Sequence, residues 1–381
     1  MHNVYINKIA AFLPNEPVSN EEMEDVLGMI SNKPSRARAI VLKSNGIKTR
    51  YYVIDKKTKT VSYNNAQITA NAVKALEDNS FKLSDIECLI CGTSTPDQLL
   101  PNHALMTQGE LKLSNIEAVA TAGICLSGVT SLKYGYMSIL AGLKKNAVVT
   151  GSEAASLIMT DKNFHQEIES KIQELEKRKV IAFEKDFLRW MLSDGAGAVL
   201  LENVPNKDSI SLKINWIEIL SYAGEMPVCM YCGGKKEDER FIGWREVGSI
   251  EKVMHESLLS LQQDVRLLNH NIMYYTVEKP LFEIIKKRNI KESEIDYFLP
   301  HYSSQYFRDK VYEALKKIGF EIPFDKWFTN LPYKGNTGAA SIYIMLEELF
   351  NSGKLKQGDK ILCYVPESGR FSTSFFLLET V

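Results

Sequence analysis

Ala118-Val-Ala-Thr-Ala-Gly-Ile-Cys125-Leu-Ser-Gly-Val129 is the stretch on which the reading of this chain turns. The apolar run Ile116–Ala122 that enters it reads as a strand. Leu126 to Leu143, which leaves it, reads as a long helix. Cys125 stands at the turn between them, at the start of a helix. Unpaired N–H groups and the helix dipole favour negative charge there. Such a site is expected to lower a thiol's pKa and make the nucleophilic thiolate available near neutral pH. Ala120, Ala122, Gly123 and Gly128 are small enough to let the turn sit deep in a packed core. Taken alone, the turn serves a buried structural cysteine equally well.

Around this turn lie 381 residues, 45% hydrophobic and 24% charged, with a formal net charge of −1. The balance is that of a soluble globular protein, long enough for two domains or one large two-halved unit. A near-neutral charge argues against a nucleic-acid or anionic-membrane partner. No apolar run approaches the ~18 residues a spanning helix needs. The first residues lack a basic stretch followed by an apolar one, so no signal peptide is expected. Six cysteines in a chain of this size fit reduced thiols, and a cytoplasmic location is expected.

Two Cys-x-x-Cys pairs raise the question of metal. Cys88 and Cys91 sit in Ile86-Glu-Cys-Leu-Ile-Cys-Gly, a buried strand. Residues three apart on a strand face opposite ways and cannot clamp one ion. Cys229 and Cys232 are spaced for a zinc knuckle but lack a second pair. A zinc-dependent interaction module is therefore a competing but weaker reading, and no metal is expected.

Strands are expected at Val4–Ala11, Ile86–Thr93, Ala147–Gly151, Ser211–Leu220, Ile295–Leu299, Ile361–Val365 and Ser372–Glu379, and Ser193–Leu201 reads as a tight glycine-rich turn into a further strand. Helices are expected at Asn64–Asp78, Met106–Lys112, Ser249–Leu268, Thr276–Lys287, Ser304–Ile318 and Ala339–Asn351, with a loop at Phe241–Gly248. Charged Thr160–Arg189 reads as an amphipathic surface helix. Ser193-Asp-Gly-Ala-Gly-Ala198 lacks the lysine and the strand–turn–helix order of a phosphate loop. The alternation predicts an α/β protein whose sheets are covered by helices. Its two halves, 1–205 and 206–381, run in the same order of elements.

Three polar residues follow strands or lie in glycine-rich turns: Cys125, His301 after Pro300, and Asn336 between Gly335 and Thr337-Gly338. Singly, the histidine could be a structural donor and the asparagine a turn residue. Together they are the groups needed to join carbon to carbon on acyl thioesters. A thiolate takes the acyl group, while an imidazole and a carboxamide donate hydrogen bonds to the oxygen that becomes an enolate. That chemistry needs no metal or redox cofactor.

Asn45-Gly-Ile-Lys-Thr-Arg50, Gly92-Thr-Ser-Thr-Pro-Asp97, Gly123-Ile-Cys-Leu-Ser-Gly128, Ser193–Ala198, Leu299-Pro-His301 and Lys334-Gly-Asn-Thr-Gly-Ala-Ala-Ser341 occur in an order and spacing that resembles the thiolase-fold condensing enzymes, specifically those like β-ketoacyl-[acyl-carrier-protein] synthase III. The resemblance implies a five-layered α-β-α-β-α fold with internal pseudo-twofold duplication, and a homodimer. It further implies acyl-carrier-protein or coenzyme A thioesters as partners and a Cys125–His301–Asn336 triad in which Cys125 is acylated. Leu100 then stands where a bulkier aromatic often limits the acyl pocket, and Ser368 and Gly369 belong to the substrate-binding loop. Ile40 replaces an aromatic residue associated with coenzyme A primers. Pro366-Glu-Ser-Gly-Arg-Phe371 replaces a glycine-rich loop and resembles the branch that makes dialkylresorcinols. That branch would need a downstream enzyme to aromatise its product. The alternatives are a synthase initiating fatty acid synthesis and a catalytically silent partner subunit.

Overall fold

The computed structural model describes residues 2–35, 38–163, 188–237 and 240–381. Nine strands form the main sheet system: β1 (Tyr5–Phe12), β2 (Cys88–Thr93), β3 (Glu117–Ala122), β4 (Asn146–Glu153), β5 (Gly195–Glu202), β6 (Leu212–Ser221), β7 (Tyr297–Pro300), β8 (Lys360–Glu367) and β9 (Ser372–Thr380). Their order is β7-β8-β9-β6-β1-β5-β4-β2-β3. Only Tyr5↔Lys213 and Ile6↔Leu212 join β1 to β6, so two sheets meet edge to edge at that seam.

Read outward from the seam, the two sheets repeat one pattern. In the first, β1–β5 and β5–β4 are antiparallel, then β4–β2 and β2–β3 parallel. In the second, β6–β9 and β9–β8 are antiparallel, then β8–β7 parallel. A single parallel bridge from Phe298 to Trp327 stands where a fifth strand would close the match.

The seven helices that pack on these sheets are α1 (Asn65–Lys74), α2 (His103–Leu111), α3 (Leu126–Leu140), α4 (Val265–Met273), α5 (Lys279–Arg288), α6 (Arg308–Lys317) and α7 (Ser341–Phe350). Strand alternation divides the apolar residues between layers. Cys88 and Ile90 of β2, with Ile361, Cys363 and Val365 of β8, face a central core. Leu126, Val129 and Leu132 of α3 and Ile342, Met345 and Leu346 of α7 fill it. Leu89 and Cys91 face outward onto α1 and α2, and Leu362 and Tyr364 face outward onto α5 and α6. The result is the expected five layers, with α3 and α7 in the middle. The opposite facing of Cys88 and Cys91 is the one their spacing requires.

Local expectations fail where long-range packing decides. Ser249–Leu268 is not one helix. A helix runs over Ile250–His255, a short strand over Gln262–Gln263, and α4 starts afresh on Asp264, whose side chain accepts from the Leu267 amide. The break falls at Ser257, which adopts a left-handed φ of 51°. The predicted loop at Phe241–Gly248 begins instead as the second strand of a hairpin, pairing Arg240–Gly243 with Gly234–Glu237. The helix expected over 160–189 lies largely outside the described residues. Among those described, no helix is long and apolar enough to cross a membrane.

The middle layer depends on glycine. A Cβ at Gly128 would lie 2.3 Å from the Ala339 carbonyl oxygen, and one at Gly151 would lie 2.2 Å from the same atom. Gly128→Ala should therefore destabilise the fold by about 1–3 kcal/mol, as overpacked cores do. Gly224→Ala, where nothing lies within 4 Å, should be neutral. Urea unfolding of both variants checks this, and equal midpoints would contradict it.

Candidate active site

Cys125 is set by a sharp change of direction. β3 ends at Ala122, and Gly123 takes φ +147°, a region L side chains rarely adopt. Cys125 then precedes α3 as its half-buried N-cap. The turn is tied by Ser127, whose backbone N–H and Oγ both donate to the Ile124 carbonyl, at 3.0 and 2.8 Å. Thr121 Oγ1 donates to the Ser127 carbonyl at 2.8 Å. Strand, turn and helix are thereby fixed as one unit.

His301 follows β7 and is buried. Its backbone N–H donates to the Tyr364 carbonyl of β8 at 2.8 Å. Burial pushes its imidazole down to about 4, so the ring is neutral at physiological pH. Asn336 is held by its backbone. Its N–H donates to Met191, and its carbonyl accepts from Ser193 at 2.8 Å, extending a bridge between Leu192 and Asn336. Its Oδ1 accepts from the Gly338 amide at 3.0 Å, which fixes the carboxamide so that Nδ2 points away from that bond. Among the described residues nothing accepts from Nδ2, and neither ring nitrogen of His301 has a hydrogen-bond partner.

The three side chains do not hydrogen-bond one another among the described residues. Two packed links bring their elements together. Ala339, three residues past Asn336, lies against Gly128 of α3. Glu367, three residues past Tyr364 on β8, reaches the Gly123–Ile124 turn, where a Cβ on Gly123 would sit 3.6 Å from Glu367 Oε2. Asn336 is thus tied to the cysteine turn from one side and His301 from the other.

Two carboxylates beside Cys125 were not foreseen. Glu153 ends β4 and is buried. It accepts from the Ser94 amide and hydroxyl, from Thr95 Oγ1 at 2.7 Å and from the Ala339 amide at 3.2 Å. Burial still raises its carboxyl above the ordinary range. Glu367 lies on the replaced loop that the sequence had marked, but its position against the turn is a tertiary fact. Burial raises its carboxyl too, opposed by the amides of Ile124 and Leu126.

Burial, with these carboxyl groups after it, runs against the acidic thiol expected of a helix start. Burial, then Glu153, then Glu367 push Cys125 well above the ordinary thiol range. The helix start does supply N–H groups, and the Cys125 amide works against the rise, but it is outweighed. The sulfur is left beside two buried carboxyl groups.

The other predicted residues fall elsewhere. Leu100 is 84% exposed on the loop after β2. Ser368 Oγ accepts from Gln263 Nε2 at 2.9 Å, and the Gly369 carbonyl accepts from the Cys229 amide at 2.8 Å. The polar groups of both thus anchor the β8–β9 hairpin. Cys229 and Cys232 face separate carbonyls, those of Asp264 and Leu259, with Cys229 buried and Cys232 exposed. An open, charged cleft of about 650 Å³ lies between Met273, Glu278, Asp309 and Lys317, apart from all of these residues.

The profile of the family described as 3-oxoacyl-[acyl-carrier-protein (ACP)] synthase III C terminal matches residues 285–371, which hold His301, Asn336 and the Pro366–Phe371 loop. Over 372 residues the chain is 27% identical to a β-ketoacyl-[acyl-carrier-protein] synthase III of Clostridium perfringens, covering 95% of each chain. A second such synthase, from Koribacter versatilis, is 24% identical and covers 94% of this chain and 92% of its own. Among solved structures, OleA of Xanthomonas campestris matches with a TM-score of 0.74 at 20% identity, over 99% of this chain and 97% of that one. AbyA1, a tetronic acid condensing enzyme, matches with a TM-score of 0.72 at 18% identity, over 99% of both chains. The chain has the thiolase fold and is similar over nearly its whole length to β-ketoacyl-[acyl-carrier-protein] synthase III, which marks it as an acyl-transferring synthase.

The raised thiol sets a direction for pH. A thiol displaced upward reacts through a thiolate fraction that keeps growing with pH. Alkylation of Cys125 by iodoacetamide, followed by peptide mass mapping, should therefore still accelerate above pH 9. A plateau reached below pH 8 would show an acidic thiol instead.

Proposed function

We propose that this enzyme joins an acyl thioester to a β-ketoacyl thioester through an acyl-Cys125 intermediate, and that the product cyclises toward a dialkylresorcinol-type lipid. The observation that carries the reading is the pairing of a cysteine at a helix start with two donors, neutral His301 and the Asn336 carboxamide, that no described residue occupies. In the proposed sequence Cys125 takes the acyl group from acyl carrier protein or coenzyme A. His301 and Asn336 then donate to the thioester oxygen of the second substrate, stabilising its enolate as C2 attacks. Holding both ends of the product in one cavity gives ring closure a high effective concentration, without new catalytic groups.

Labour is divided between two units in this reading: 1–205 supplies the nucleophile and 206–381 the donors. Among the described residues the outer edge of β3 has no partner strand, and its residues are largely half-buried. Such an edge invites a partner strand, which supports a homodimer. Two observations favour long acyl chains without a small coenzyme A primer. Ile40, 65% exposed, offers no aromatic face for adenine, and OleA, of the same fold, has been solved with lauric acid and lauroyl-CoA bound. The names of the sequence relatives favour the second reading, a β-ketoacyl-[acyl-carrier-protein] synthase III that initiates fatty acid synthesis. A silent partner subunit is disfavoured by the presence of all three polar groups.

Cys125→Ala should abolish acyl-enzyme formation, read by intact mass, while the protein stays folded. His301→Ala and Asn336→Ala should still acylate but lose condensation by about 10²–10³-fold each. The product assigns the branch. Purified enzyme given an acyl and a β-ketoacyl thioester should yield a six-membered ring by mass spectrometry and NMR. A linear β-ketoacyl product made only from a malonyl thioester would establish the fatty-acid reading instead.

A further inference from the structure

A β-ketoacyl thioester has no carboxylate to lose, so its carbanion has to come from removal of a C2 proton. Neither donor of the proposed triad is suited to that task. His301 and Asn336 are assigned to hydrogen-bond the enolate oxygen, and an asparagine cannot accept a proton. A base is required next to the acyl-cysteine.

Two carboxylates stand there, and their surroundings differ. Glu153 is saturated, with Ser94, Thr95 and Ala339 donating four hydrogen bonds to its two oxygens. Glu367 accepts from no side chain among the described residues and has only the amides of Ile124 and Leu126, on either side of Cys125, to oppose its burial. Its oxygens lie at the cysteine turn, Oε2 3.6 Å from a Cβ built on Gly123. It is also held firmly. The hairpin that carries it is clamped by Cys229 N–H to the Gly369 carbonyl, by Gln263 to Ser368, by Arg370 Nε to the Met226 carbonyl at 3.0 Å, and by Tyr222 N–H to the Phe371 carbonyl at 3.1 Å. Phe371 takes a left-handed φ of 60° to complete the turn. We propose that Glu367 is the general base that removes the C2 proton of the β-ketoacyl thioester after Cys125 has been acylated.

The inference rests on the function proposed above, and the electrostatics give it an order of events. A thiolate and a carboxylate side by side repel, so Cys125 and Glu367 do not readily carry charge together. Acylation removes the sulfur's ionisation and leaves Glu367 as the anion of the pair. Glu367 then takes the C2 proton, and the C2–H electron pair becomes the enolate. The enolate forms a carbon–carbon bond to the acyl carbonyl, the carbonyl–sulfur bond breaks, and the thiolate leaves beside a carboxyl that is now neutral. Transfer of that proton from Glu367 to sulfur restores the starting enzyme. No oxidant, metal or further proton source enters.

Glu367→Gln keeps the shape and the hydrogen-bond acceptor but cannot take a proton. With an acyl donor and a β-ketoacyl acceptor, condensation should fall about 10²–10⁴-fold, the range of a lost general base. Single-turnover acylation of Cys125, followed by intact mass in the same preparation, should fall far less. The loss should also be much smaller with a malonyl acceptor, where departure of CO₂ makes the carbanion without a base. Equal losses in acylation and in condensation with both acceptors would mark Glu367 as structural and overturn the assignment. So would wild-type condensation by the variant on the β-ketoacyl acceptor. Failure of the wild-type enzyme to use that acceptor at all would instead overturn the proposed function, and the base with it.

Discussion

The approach of α3 to the loop before α7 is the contact on which the rest of the site depends. Gly128 and Gly151 meet the Ala339 carbonyl where no side chain fits, and a Cβ on Gly197 would come within 2.3 Å of Tyr343 Cβ. Tyr343 closes the contact by donating its hydroxyl to the Gly128 carbonyl at 2.7 Å. Buried backbone groups at two abutting helix starts have to be paired or they cost stability. Here the Ala339 amide is answered by Glu153 and the Gly128 carbonyl by Tyr343. That pairing fixes the cysteine turn of one half against the Asn336 loop of the other.

The same closeness sets the electrostatics. Glu153 secures the junction, and Glu367 lies against the turn that carries Cys125. The dipole that would otherwise favour a thiolate is thereby shared with a carboxylate. Burial holds the cysteine toward its thiol form and the His301 imidazole toward its neutral form. Charge in this site is scarce, so the protonation of one group bears on the next. Chemistry that moves a proton between carbon, carboxylate and sulfur suits such a place better than one that stores a standing ion pair.

Much of the architecture could be read along the chain. β1, β6, β8 and β9 announce themselves as apolar runs, β5 as a glycine-rich turn into a strand, and α1 by apolar residues at helical spacing; the structure adds its Asn64 cap, whose side chain accepts from Gln67 N–H while Gln67 reaches back. The opposite facing of Cys88 and Cys91 followed from strand geometry alone. The segment from 249 to 268 was misread because its apolar spacing suits a helix. What breaks it is distant: Gln263 pairs with Met230, and through Ser368 it braces the β8–β9 hairpin. Periodicity carries no information about that contact. Leu100, expected against an acyl chain, is 84% exposed on the loop after β2, a matter of packing that its local sequence does not report.

The sequence by itself determined the layered α/β order, the turn that presents Cys125, and the candidacy of His301 and Asn336, because each rests on local spacing and residue chemistry. Tertiary structure alone decided the company the cysteine keeps. Glu153 and Glu367 lie 28 and 242 residues further along the chain, and only the packing of two sheets around α3 and α7 brings them to it. A thiol's acidity depends on the charges and burial around it, and those are properties of the folded chain. The helix start could therefore be read correctly from the sequence and its effect on the sulfur still be reversed by what folds against it.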